Sequence, residues 1–439
     1  MYSGSVRNAV SGTSWIGFAV ITCAISLDAA AVDSFEEAPI HYSASAASNP
    51  VAALQSALEN GGATLSYDDR FGYLVSLLRA LNIPQESQGL VFSKTSLQAH
   101  RISPETPRAI YFNDDTYVGS VPNGEVIEIS VADPQLGAVF YTLSQQKSER
   151  PVLIRQTENC LQCHGSTLTR GIPGHLVRSV FPNAEGFPIL KAGTHLTSQG
   201  SPMQERWGGW YVTGEHGATR HMGNAIALAT ERDAEIDTEA GANRMVLDSR
   251  VRLDSYVTAH SDIVALMVLV HQVDVHNLLT SANFETRQAL ARQQALDEVL
   301  KRDPSLPNDT TQRIIKSVGD KLVESLLFAN EAAWESPIRG TAGFAEVFSA
   351  QGPKDKLGRS LREFDLQARL FKYPLSYLIY TQSFEQLPQP MKDYVYRSLW
   401  DHLTGAVESR FNAHLDADMR DAIRAILIDT KTNLPDYWK

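Results

Sequence analysis

The sequence has no cluster of Lys and Arg to offset its formal net charge of -11. It therefore lacks the electrostatic footprint of a nucleic-acid-binding chain. No Gly-x-Gly-x-x-Gly or Walker pattern appears, and Gly208-Gly209 does not form a phosphate-binding loop. A Gly-x-Ser-x-Gly nucleophile turn is missing as well. There is no repeat of fixed period and no long low-complexity tract; 43% hydrophobic and 20% charged residues place the 439-residue chain among ordinary folded proteins. Long apolar runs are scarce too. Trp15 to Ser26 has the length of a signal-peptide apolar region, with Arg7 before it and Ala29-Ala30-Ala31 after it. It falls short of the roughly 20 residues a transmembrane helix needs. Residues 1–31 are expected to be a cleaved export signal, which sends the chain to the periplasm. Beyond it, Ile263 to Val270 is apolar throughout but only eight residues long. It reads as a buried piece of helix, so no integral membrane span is expected after cleavage.

Cysteine is the scarcest informative residue. The chain holds three, and Cys23 falls inside the expected signal, where Val20-Ile21-Thr22 lack the small residue expected ahead of a lipidated cysteine. The mature chain keeps Cys160 and Cys163 alone. An exported protein can join two cysteines in a disulfide. Here they are two residues apart and His164 follows at once, which is the attachment signature of a c-type haem.

The surrounding pattern reads as α+β. Pro50 to Asn60 and Tyr67 to Leu81 carry apolar residues at helical spacing, with Gly61-Gly62 between them and Pro84 after them. Ala109 to Phe112, Tyr117 to Val121, Val126 to Val131, Ala138 to Leu143 and Val152 to Arg155 are short runs bounded by turn residues. They predict a small antiparallel sheet whose last strand leads into the cysteine motif. Thr157 to Asn224 is rich in Gly, Pro and His with little periodicity, as for a loop-rich envelope around a rigid group. Helices are expected at Asp254 to Thr280, Asn283 to Leu300, Thr310 to Ala329, Ser360 to Phe371 and Pro390 to Thr404. The regions are thus 1–31 (signal), 32–156 (helical pair and β-rich part), 157–250 (haem attachment) and 251–439 (helical).

In a Cys-x-x-Cys-His motif two thioether bonds anchor the porphyrin, and a helical turn presents both sulfurs along one haem edge. Cys160 and Cys163 are the anchors and His164 the axial base of one covalent haem c. The competing reading is a redox-active dithiol, which wants a βαβ context that the sequence does not offer. A zinc site needs a further Cys or His pair at close spacing; the downstream histidines keep it in view.

The motif resembles that of the c-type cytochromes. The stretch from Asn159-Cys160 to His221-Met222-Gly223-Asn224, with Trp207-Gly208-Gly209-Trp210-Tyr211, resembles a group of large exported single-haem bacterial proteins. Leu361-Arg362-Glu363-Phe364-Asp365, Lys372-Tyr373-Pro374 and Leu434-Pro435-Asp436-Tyr437-Trp438 extend the resemblance over most of the mature chain. It implies haem and export, and says little about activity.

The second axial position decides the class, because electron-transfer haems carry two protein ligands and haems that bind substrates keep one position open. Met203, after Ser201-Pro202, sits where small cytochromes place a methionine ligand. His221 and His216 lie in a Gly-flanked segment, with His221 ahead and Met222 a weaker neighbour. His175 and His195 read as loop histidines, and Arg170, Arg178 and Arg220 as candidate propionate partners. His260 and His271, eleven positions apart, fall roughly 20° apart on the expected helix, with Asp274 one turn beyond to orient His271; His276 points elsewhere. Helix histidines beside an apolar run are more often satisfied core residues.

Three functions follow. The first is a periplasmic electron-transfer cytochrome that meets a redox partner protein; the acidic balance suits a partner with a basic face. The second is a haem oxidoreductase acting on peroxide or another small molecule, for which the surplus chain provides a pocket and His260 or His271 an acid–base group. The third is a haem-based redox or gas sensor, by fold analogy alone.

Overall fold

Short β-rich runs separated by turn residues build the N-terminal half. The computed structural model describes residues 34–247, 249–303 and 307–438. The expected export signal, Cys23 included, lies outside them. In chain order the strands are β1 (Gly89–Val91), β2 (Arg108–Phe112), β3 (Thr116–Ser120), β4 (Val126–Asp133), β5 (Gly137–Ser144), β6 (Leu153–Gln156), β7 (Arg178–Val180), β8 (Thr194–Leu196), β9 (Trp210–Tyr211), β10 (Ala227–Ala229) and β11 (Ala234–Ile236). Seven of them form one antiparallel sheet in the order β6-β5-β4-β3-β2-β1-β9, while β7 pairs β8 and β10 pairs β11. Turn chemistry sets the register. Asn113 Oδ1 accepts from Thr116 N at 2.9 Å between β2 and β3, and Asp133 Oδ1 accepts from Gln135 N at 2.9 Å between β4 and β5.

Alternation gives the sheet two different faces. Tyr111, Val118, Ile129 and Tyr141 share one face and pack in an apolar cluster with Val51 and Leu54 of α1 (Pro50–Glu59) and Leu74, Leu77 and Leu78 of α2 (Leu74–Ala80). The opposite face carries the row Phe112, Tyr117, Ser130, Phe140, Gln156. The one-turn helix α3 (Leu161–His164) follows β6. Against the second face lies α4 (Ile263–Leu300), a continuous helix of 38 residues, whose apolar cluster includes Phe112 and Tyr117. Helices α5 (Asp309–Leu326), α6 (Phe344–Ser349), α7 (Gln382–Glu385), α8 (Gln389–Leu403) and α9 (Ala417–Thr430) complete the helical half. This is the α+β arrangement the sequence predicts.

Several expected boundaries move. The second helix starts at Leu74, not Tyr67, because Asp68 Oδ1 accepts from the N–H groups of Arg70 and Phe71 and forms a turn there. Asp254 to Thr280 and Asn283 to Leu300 are one helix, and it starts only at Ile263, capped by the Asp262 carboxylate on Val264 N (2.8 Å) and Ala265 N (3.2 Å). His260 therefore precedes the helix and shares no helical face with His271. Ser360 to Phe371 is not helical: Asp365 Oδ1 captures the N–H groups of Gln367 and Ala368, Leu366 adopts φ +56°, and Phe364 bridges Phe371. By length and composition α4 is apolar enough to cross a membrane, a length the eight-residue run did not suggest; 83% of its apolar window is buried inside the protein.

Candidate functional site

Strand β6 delivers the chain to the cysteine motif. Cys163 N and His164 N reach back to Cys160 O at 3.3 and 3.0 Å, and Gly165 N to Leu161 O at 2.8 Å. This helical turn sets the two cysteines three positions apart on one side. They are free thiols; Cys163 is exposed and Cys160 half-buried. Burial pushes the Cys160 thiol up to about 11, with Glu128 adding to the effect.

His164 is held from several directions. Its Nδ1 meets Gly174 O at 2.9 Å. A carbonyl only accepts, so Nδ1 donates and Nε2 keeps its lone pair. Gly174 N and Thr169 Oγ1 both donate to His164 O, at 2.8 and 3.1 Å. The Phe140 ring lies 4.9 Å away, and burial lowers the imidazole's proton affinity. Helix α4 fixes the loop in turn: Asn277 Oδ1 accepts from His175 N and Asn277 Nδ2 donates to His175 O, both at 2.8 Å. Gly174 passes so close to Asn277 that a Cβ there would stand 2.6 Å from Asn277 Oδ1.

Two histidines that the sequence set aside sit beside this centre. His175 packs 4.5 Å from the Tyr117 ring and 6.5 Å from Phe140, and its Nε2 is buried without a hydrogen bond. His276, expected to point elsewhere, turns to the sheet and bonds Tyr117 Oη through Nδ1 at 2.8 Å. Burial depresses both, His276 to about 3. Only the cross-strand register of Tyr117 and Phe140 brings them together, and no local pattern announces it. Arg108 and Glu128, paired at 3.4 Å, also act electrostatically on Cys160 and His164. Gly119 makes room for that guanidinium, since a Cβ there would lie 2.7 Å from Arg108 Nε.

The expected second ligands have other partners among the described contacts. His221 is buried beside Trp207 (5.3 Å) and His216 (4.7 Å); its Nδ1 accepts from Gly223 N at 3.0 Å, and burial takes it down to about 3. His216 uses both nitrogens, with Thr219 O at 2.6 Å and Asn243 N at 2.8 Å. Met203 is packed in the apolar cluster of α4, and Met222 Sδ accepts from Ser179 Oγ at 3.5 Å. No hydrogen bond or ring contact among the described residues joins Met203, His216 or His221 to His164.

The remaining candidates have structural partners. His271 is fully buried between Gln199 Oε1 (2.5 Å) and Ser376 Oγ (2.8 Å). Asp274 does not orient it; its Oδ2 accepts from Ser325 Oγ at 3.2 Å. The backbone of His260 accepts from Gln88 Nε2 at 2.6 Å, and His195 stands 3.5 Å from Glu205. Arg220 pairs with Glu239 at 2.7 Å, Arg178 gives its carbonyl to Trp210 Nε1 at 2.8 Å, and Arg170 ends a turn at φ +61°. Among the described residues no group of three or more His, Cys, Asp or Glu is arranged to hold a metal ion, which leaves the expected zinc alternative without a ligand set.

No family model matches the chain, and no curated protein or solved structure matches it.

Proposed function

We propose that the chain is an exported c-type cytochrome that binds one covalent haem through Cys160 and Cys163, with His164 as axial base, and carries electrons in the periplasm. The observation that carries this reading is the tautomer of His164. Its Nδ1 is spent on Gly174 O, so Nε2 is the free nitrogen that an iron ligand requires. The helical turn suits two thioether bonds to one porphyrin edge. Apolar side chains left at the surface near the motif support it too: Ile154, on the Phe140 face of the sheet, is 55% exposed and Leu168 36%. A dithiol oxidoreductase is less well supported. Reactive Cys-x-x-Cys pairs carry a lowered thiol pKa, whereas burial raises that of Cys160, and α3 follows an antiparallel strand.

When bound, haem c supplies an iron that cycles between ferric and ferrous states and carries one electron. The chain fixes the axial imidazole, keeps its Nδ1 protonated so that Nε2 is free, and places the Arg108–Glu128 pair beside it. Acidic side chains on the surface suit a redox partner with a basic face.

A second reading, an oxidoreductase with an open iron position, has its own support. Gly223 N donates to His221 Nδ1, which leaves Nε2 protonated and unfit to bind iron in that arrangement, and Met203 is locked into the core of α4. Visible spectra of the reduced holoprotein under carbon monoxide separate the two. A spectrum indifferent to CO supports electron transfer and directs substitution to His221 and Met203. A prompt CO shift contradicts the carrier role and supports substrate binding at iron.

A further inference from the structure

Tyr117 stands out among the buried groups that the proposed function leaves unused. Its phenol lies in a closed hydrogen-bond frame. Gln272 Nε2 donates to Tyr117 Oη at 3.0 Å and to Asn113 O at 2.7 Å, while Gln272 Oε1 accepts from Tyr377 Oη at 2.5 Å. The amide orientation is thereby fixed, and Tyr117 Oη is an acceptor toward Gln272. Its own proton is left to point at His276 Nδ1, 2.8 Å away. The phenol is thus aimed at a neutral imidazole nitrogen inside a core that excludes water. Burial lowers that imidazole to about 3 against the Asp114 backbone, which favours the protonated form; burial, with the Asp115 and Asp114 carboxylates adding to it, raises the Tyr117 phenol. Side-chain rings continue from Tyr117 to the motif: Tyr117 to His175 at 4.5 Å, His175 to Phe140 at 6.5 Å, Phe140 to His164 at 4.9 Å.

We infer that Tyr117 is a redox-active tyrosine, with His276 as the base that holds its phenolic proton, and that it serves as the second electron donor when the iron centre reduces hydrogen peroxide. This rests on the haem reading in its open-position form. Reduction of one peroxide to two waters, with cleavage of the O–O bond, consumes two electrons and two protons. A ferrous haem iron held by His164 would supply one of the electrons. Tyr117 gives the other through His175 and Phe140 and becomes the neutral phenoxyl radical. Its proton crosses to His276 Nδ1 and stays there, so solvent supplies both protons that enter water. When an outside reductant returns the electron, the proton returns from His276 to Tyr117 Oη. A phenol radical cation is a far stronger acid than an imidazolium, even one that burial lowers to about 3, so the proton moves to His276 as the electron leaves Tyr117.

The test uses the full-length holoprotein. Covalent haem is first established by the α-band that persists after denaturation. The protein is then reduced, freed of reductant, mixed with one equivalent of hydrogen peroxide, frozen and read by electron paramagnetic resonance. A tyrosyl radical is expected in the wild type. Tyr117→Phe, which keeps the ring packing, should reduce it to background at equal haem content. His276→Gln retains a hydrogen-bond acceptor but no base, and should lower the yield and slow its rise. A holoprotein that forms no tyrosyl radical, whether or not peroxide oxidises the iron, overturns the assignment, as does a signal unchanged in Tyr117→Phe. Absence of covalent haem is a separate result and removes the haem reading itself.

Discussion

A single hydrogen bond separates what His164 and His221 are able to do. At His164 it occupies the inner nitrogen and leaves the outer one to ligate; at His221 it occupies Nδ1 as an acceptor and leaves a protonated Nε2. The motif that holds His164 was legible in the sequence because its residues are adjacent. The company it keeps was not. Tyr117, Phe140, His175 and His276 meet through strand register and helix docking, which no spacing rule reports. Burial of neutral imidazoles has a measurable consequence. His221, His271 and His276 are each driven down to about 3, so below the unfolded value near 6.5 the unfolded chain binds more protons than the folded one. Their stabilisation is complete above about 6.5 and is lost as pH falls, at up to ~1.4 kcal/mol per pH unit for each. Glu331, raised to about 7 by burial, works in the opposite sense over the same range, and burial also raises Asp115, Asp274 and Glu285; against them stand these three histidines together with His175, His216 and His414, which burial lowers as well. Thermal melts should show Tm dropping between about pH 6.5 and about pH 5. A flat or rising Tm over that window contradicts the burial of neutral histidines.

At the scale of elements, the strands were readable and the helix ends were not. Five of the strands in the main sheet lie where β-branched and aromatic runs between turn residues put them. β1 and β9, with three and two residues, are too short to show a period, and they join the sheet only because neighbouring strands offer an edge. Helix ends are fixed by particular side chains. Asp262 is the clearest case: besides capping α4, its Oδ2 accepts from Thr341 N and Ala342 N, both at 2.7 Å. One buried carboxylate thus satisfies four backbone N–H groups and ties the start of α4 to the segment before α6. Asp262→Ala should destabilise the protein by about 2–4 kcal/mol, since both a cap and several buried donors are lost. Hydrogen exchange should speed up at the first turn of α4 and around Thr341 together. If only the helix turn loosens, the bridging role is wrong.

At the scale of the molecule, one sheet is packed on both faces for different purposes. One face closes on α1 and α2 as core; the other lies under α4 and carries Phe140 to His164. Strand β9 ties the loop-rich segment after the motif to the sheet edge. On the proposed reading, that rigid setting would let a two-residue gap between cysteines and one histidine hold a large flat cofactor in a defined place. Covalent haem content measures this most directly, after export expression in a host that matures c-type cytochromes, followed by denaturation and extraction. The wild type should retain a reduced α-band through both treatments, and Cys160→Ala with Cys163→Ala should lose it. A wild-type chain that leaves such a host folded but without covalent haem would contradict the account and leave the two cysteines as a dithiol or disulfide.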